Sequence, residues 1–167
     1  MTHAVVLLLV AAVPIPPAKP GLTKDEEALL RSAEADVEAA RPRLLAPAPS
    51  RGPDAAEAAR RLRLRAACER LDRLAASLTG RSNKAKARVA RAAADAWWWA
   101  DEHARALPHY ERALRLGAGA CALDRAATLW HAWTCCDALG RTEEAARYRG
   151  LYEAEAAKLP RSKMLRA

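Results

Sequence analysis

The sequence contains no phenylalanine, and only 5% of its residues are aromatic. Val, Ile and Thr are scarce, while Ala and Leu abound. Sheets draw on β-branched and aromatic side chains, whereas Ala and Leu are strong helix formers, so the composition excludes a sheet-based core and predicts an all-α chain. Long apolar runs are missing too. The run 4–13, AVVLLLVAAV, falls well short of the roughly 20 residues that a membrane helix needs, and no transmembrane span is expected. The four cysteines, Cys68, Cys121, Cys135 and Cys136, show neither CxxC nor CxxCH spacing, which excludes a zinc ribbon and a c-type haem site. Cys135 and Cys136 are neighbours on a predicted helix and poorly placed to bond each other, so small buried thiols are expected. A glycine-rich phosphate loop, an HExxH pair and a nucleophile elbow are all absent, and no enzyme is expected. His131 and Cys135 stand four apart, but His103, His109 and Cys136 add no further ligand at a supporting spacing. No metal or other cofactor is expected. His103 and His109, near Glu102 and Glu111, read as solvent-facing.

What is present is basic and unevenly distributed. The 167 residues, enough for one domain with flanks, carry a formal charge of +8. Residues 19–59 are net −2, residues 60–91 net +9 and residues 92–167 net +1. One middle stretch therefore accounts for the basicity. A basic stripe attracts nucleic acid, an anionic surface or an acidic protein, and it is also what a solvated arginine-rich face looks like. No aromatic is interleaved in it and no nucleic-acid motif is recognisable. Because alanine buries little area, the five Trp are expected to carry much of the core.

Along the chain, 1–18 reads as a signal peptide and suits export from a bacterial cytoplasm, to a periplasm or beyond, although no Lys or Arg precedes the apolar run. A cytoplasmic location is the alternative. Residues 19–22 form a linker. Thr23 and Glu26 make a capping box that opens a helix to about Ala40, with Leu29, Leu30, Ala33, Val37 and Ala40 on one face. Asp54 and Glu57 make a second box, opening a helix to Leu78 with a stripe through Ala58, Leu62, Leu64 or Arg65 at the margin, Ala67, Leu71, Leu74 and Leu78. Gly80 ends it, and Ser82 or Asn83 caps the next helix, over 84–99. A further arm starts near Asp101 and ends at Gly117 and Gly119. Asp124 is expected to cap a helix to Leu139, Gly140 to turn the chain, and Thr142 to restart it as far as Leu159. The tail 161–167 is basic. The domain plan is thus N-terminal helices over 23–83 and a second unit over 84–160.

Ala106-Leu107-Pro108, Tyr110, Ala113 and Leu114, and again Leu139-Gly140, Glu143, Glu144 and Ala145, resemble the tetratricopeptide repeat. That family stacks helix-turn-helix units of about 34 residues. Trp133 stands where the family prefers a small residue, and Ala106 and Ala145 are 39 apart, which places an insertion in the loop 117–121. The resemblance covers two units, with the earlier helices as caps or degenerate repeats. It implies antiparallel helical hairpins stacked as a short solenoid or bundle. It also implies a non-catalytic module that binds a protein or peptide segment on the concave face of its first helices. On this chain that face comprises Arg88, Arg91, Asp95 and Trp98 from one unit and Trp130, Thr134 and Asp137 from the other. Guanidinium groups and Trp anchors would suit a partner of acidic character. The alternative is a cytoplasmic nucleic-acid-associated protein using the stripe 60–91.

Overall fold

The computed structural model describes residues 20–41, 55–117 and 121–159. The segment 1–18 with its export reading, residues 42–53, the cap expected at Asp54, Gly119 and the tail 161–167 lie outside these residues. Among the described residues there are six helices and no strand: α1 (Lys24–Ala40), α2 (Ala55–Ser77), α3 (Asn83–Trp99), α4 (His103–Arg115), α5 (Ala122–Ala138) and α6 (Thr142–Ala156). None of them is long and apolar enough to cross a membrane.

Local chemistry sets the helix ends. Glu26 N–H donates to Thr23 Oγ1 at 3.2 Å and Thr23 N–H to Glu26 Oε2 at 2.7 Å, so both halves of the α1 capping box are made. The Ser82 hydroxyl accepts from Ala85 N–H at 3.2 Å and starts α3. At α5 the cap is Cys121 and not Asp124: the Asp124 N–H donates to Cys121 Sγ at 3.4 Å, which moves Asp124 into the first turn. The last helix ends at Ala156, three residues short of the expected Leu159.

The α3–α4 and α5–α6 turns share one hydrogen-bond pattern. Glu102 N–H donates to Trp97 C=O and Asp101 N–H to Trp98 C=O, both at 3.0 Å. In the second turn Arg141 N–H donates to Cys136 C=O at 2.9 Å and Gly140 N–H to Asp137 C=O at 3.0 Å. In this pattern the residue after the helix cap turns left-handed: φ is +62° at Asp101 and +68° at Gly140. These short turns make α3/α4 and α5/α6 antiparallel hairpins. Asp101 and Gly140 are 39 apart, as are the starts of α3 and α5 and of α4 and α6. The two hairpins therefore repeat in register.

Each helix packs on its chain neighbours. Beyond that, among the described residues, the backbones of α1 and α3 and of α3 and α5 come close, while α2 and α4, and α4 and α6, meet through side chains such as His109 with Asp72 and Tyr148 with Glu111. α1, α3 and α5 form an inner layer, and α2, α4 and α6 an outer one. The fold is all-α, a stack of three hairpins. α3 lies at its centre, and Ala87, Ala90, Ala93, Ala94 and Ala96 are all buried on it. Small side chains on several sides let four helices approach one.

Aromatic burial is narrower than expected. Trp97 is 1% exposed and its Nε1 donates to both Asp72 oxygens, at 3.0 and 3.1 Å. Trp98, Trp99 and Trp133 are only partly buried and Trp130 is exposed. Successive helical residues point about 100° apart, so Trp97, Trp98 and Trp99 cannot all face inward. Leu29 is likewise exposed beside buried Leu30, because Leu30, Ala33, Val37 and Ala40 form the inward stripe. Ala58 is exposed and Leu62 is 73% exposed, because they lie on the face of α2 opposite the inward line of Glu57, Arg60, Leu64, Ala67 and Leu71.

Gly140→Ala should cost about 1 kcal/mol of unfolding free energy, because an added Cβ meets no neighbour within 4 Å and only the left-handed backbone opposes it. At the matching position Asp101→Gly should stabilise by roughly 0.5 kcal/mol. Urea unfolding of the two variants checks both signs.

Candidate functional site

The inner layer brings residues from three helices to one face, and most of its charges are already matched. Arg88 Nη1 reaches Glu27 Oε1 and Oε2 on α1 at 2.8 and 3.1 Å. Arg91 Nη1 donates to Asp124 Oδ1 on α5 at 2.9 Å, and its Nε lies 3.8 Å from Asp95 Oδ2. The Cys121 thiol, and then the Arg91 guanidinium, hold the Asp124 carboxyl below its usual range. Asp95 accepts a 2.7 Å hydrogen bond from the buried Tyr110 hydroxyl of α4. Burial, with Asp95 beside it, pushes that hydroxyl far up, so it stays a neutral donor.

The aromatic half of the face is one cluster. Trp98 Nε1 donates to Thr134 Oγ1 at 3.2 Å, and the Trp98 and Trp130 rings are 6.1 Å apart. His131 sits among them, 5.0 Å from Trp98, 4.8 Å from Trp130 and stacked on Tyr110 at 5.4 Å. Its Nδ1 is buried, has no hydrogen-bond partner and lies 3.6 Å from Asp95 Oδ1. Trp130 remains 37% exposed. Asp137 is exposed and makes no ion pair among the described residues. Of the seven residues predicted for the face, Trp98, Trp130 and Thr134 therefore meet and Arg91 joins Asp95. Arg88 is turned to α1, and Asp137 stands alone.

A groove runs along this layer. Two cavities, of about 700 Å³ and 280 Å³, both have Glu34, Ala92 and Asp95 in their walls. The larger extends to Lys84, Arg88, Arg91 and Asp124, the smaller to Glu38, Arg41, Trp99 and His131. Glu34, Glu38, Arg41 and Trp99 escaped the sequence reading. Trp99 had a signal, because it lies four beyond Asp95 and eight beyond Arg91 on the same helix. The α1 residues had none, because α1 was read as a cap and not as a wall of the groove.

The histidines are less exposed than their sequence context suggests. His109 Nε2 lies 2.9 Å from Asp72 Oδ1, on the carboxylate that Trp97 also uses. His103 Nε2 lies 3.1 Å from Asp101 Oδ1, and its Nδ1 is 4.0 Å from Cys135 Sγ. That order of thiol, imidazole and carboxylate resembles a nucleophile relay. Cys135 is fully buried, however, and burial pushes its thiol to about 12. A buried, protonated sulfur has neither access nor nucleophilicity. Cys68 and Cys136 are buried as well, whereas Cys121 is exposed, against expectation. Among the described residues no three His, Cys, Asp or Glu side chains are grouped to hold a metal.

The basic stripe is largely an ion-pair surface. Arg60 and Arg61 hold Glu57, Arg65 faces Glu69, Arg70 holds Asp36 and Arg81 holds Glu26. With Arg88 and Arg91, seven of its eleven cations have carboxylate partners, which leaves a broken rather than a continuous phosphate track. Comparison of the chain with protein-family models, with characterised proteins and with solved structures finds no match.

Burial is the leading cause that lowers both the His109 and the His131 pKa, with Asp72 and Asp95 opposing it. The folded chain thus binds fewer protons than the unfolded chain near pH 6.5. Stability is full above that pH and falls as pH drops toward the depressed folded values. The urea midpoint should therefore decrease from neutral to mildly acidic pH. His131→Phe, which keeps the ring stack, should flatten that decrease, and an unchanged slope would contradict the assignment.

Proposed function

We propose that this chain is a non-catalytic protein-interaction module of the tetratricopeptide kind, which docks a segment of a partner protein on its inner face. The observation that carries the reading is the groove along α1, α3 and α5, with Trp99 and His131 in its wall and the exposed Trp130 packed against His131. Soluble chains rarely leave Trp in water without use, and Trp is the side chain most often found at the energetic centre of an interface. The packed hairpins supply a rigid platform, so little ordering entropy is lost on binding. Cys135, the thiol that lies beside a histidine, is fully buried, which favours binding over catalysis. The apolar run 4–13 supports export as the setting of this module. Nucleic-acid binding through the stripe 60–91 is disfavoured by its internal carboxylate partners.

The tagged full chain and its Trp130→Ala/Asp137→Ala variant should be compared by affinity capture from the cells that make the protein. A discrete protein partner should survive nuclease treatment and bind the variant roughly 30-fold more weakly, as expected for loss of a central Trp anchor. Because Trp130 also packs on Trp98 and His131, capture is compared at a temperature well below the melting transition of both forms. Equal capture by both forms, or recovery of nuclease-sensitive material alone, would refute the docking face.

A further inference from the structure

The sign of the free charge on the inner face is opposite to that of the chain. Arg88 and Arg91, the cations first suited to gripping a carboxylate, are occupied by Glu27 and Asp124. An acidic ligand would have to displace a carboxylate already bonded at 2.8 or 2.9 Å. Glu34, by contrast, has no ion pair among the described residues, although it stands in the wall shared by both cavities. Loss of hydration, then the neighbouring Glu27 and Asp95, hold its carboxyl above the usual range despite Arg88. The smaller cavity has three carboxylates in its wall, Glu34, Glu38 and Asp95, against one cation, Arg41.

Arg41 also shows what this end of the groove accommodates. Its guanidinium lies 4.0 Å above the Trp99 ring, and its Nη1 donates to Glu38 Oε2 at 2.8 Å. An aromatic face with a flanking carboxylate is favourable surroundings for a cation. Beside it Glu34 faces the groove with no cation paired to it among the described residues, whereas Asp95 is already held by Arg91 and Tyr110; His131, which lines the same cavity, carries Trp130 against its ring.

We infer that the inner face selects a partner segment through a basic side chain, arginine or lysine, seated against Glu34 in the wall that both cavities share. The inference rests on the docking reading above and replaces the acidic partner with a basic one. Lys84, the lining cation without an ion pair among the described residues, stands in the first turn of α3, toward the other end of the larger cavity. The net +8 of the chain favours acidic peptides at long range, so enrichment of basic ones reports the local site.

Random dodecapeptides displayed on phage would be panned against the immobilised full chain at physiological salt. The enriched peptides would then be synthesised and titrated against the wild type and variants. The expected result is enrichment in Arg and Lys, with affinity reduced roughly tenfold by Glu34→Gln and by Trp130→Ala. Glu153→Gln on α6 makes the same charge change away from the groove and should leave affinity unaltered. Enrichment of acidic peptides that depend on Lys84 or Arg91 and ignore Glu34→Gln would overturn the inference while leaving the docking face standing. Peptides that bind the wild type, Glu34→Gln, Arg91→Gln and Trp130→Ala alike, or no enrichment at all, would overturn both.

Discussion

Close packing around α3 is the constraint on which the rest depends. This helix touches α1, α2, α4 and α5, and alanine at its contact positions is what allows that many neighbours. A larger side chain at Ala90, Ala93 or Ala94 would force one neighbour outward, because an overpacked core costs about 1–3 kcal/mol and moves backbone. The inner face exists only because α1 and α5 both rest on α3. Trp97 extends the same centre to the outer layer by hydrogen-bonding Asp72 of α2, which His109 of α4 shares. One carboxylate thus ties three helices together.

Charge is organised by the same geometry. The basic stripe looked like a surface looking for a polyanion, yet most of its arginines close on carboxylates from α1 or from the previous turn of their own helix. Such pairs are partly exposed and each adds little stability. Their consequence is electrostatic: they neutralise the arginines that a sequence reading would assign to a ligand. What remains available on the inner face is a Trp ring and, in the wall of the groove, the carboxylate of Glu34.

Much of the fold was legible because helix boundaries are written locally. The Thr23 box, Ser82 and Gly140 each act within four residues, and the helices fall within a few residues of the expected limits. Burial was less legible. Leu29 and Leu62 are apolar and helical but exposed, because each lies off the stripe that its helix turns to its neighbours. The site was legible in part. Helical spacing grouped Arg91 with Asp95 and Trp130 with Thr134, but the partners of the arginines lie 61 residues away for Arg88 and 33 for Arg91. The role of α1 was hidden because the first hairpin does not share the 39-residue repeat of the other two. Its Glu34 and Glu38 consequently had no place in a face built from two units.

The account stands most directly on α3 as the centre of the stack, and native-state hydrogen exchange measures that residue by residue. Amides in the middle of α3, around Ala90 to Trp97, should exchange only through global unfolding, while α1 and α6, at the two ends of the stack, open at lower free energy. If α3 instead exchanged earlier than the hairpin α5/α6, the last hairpin would fold without it. The inner face would then not be a rigid platform, and the docking account built on it would fail.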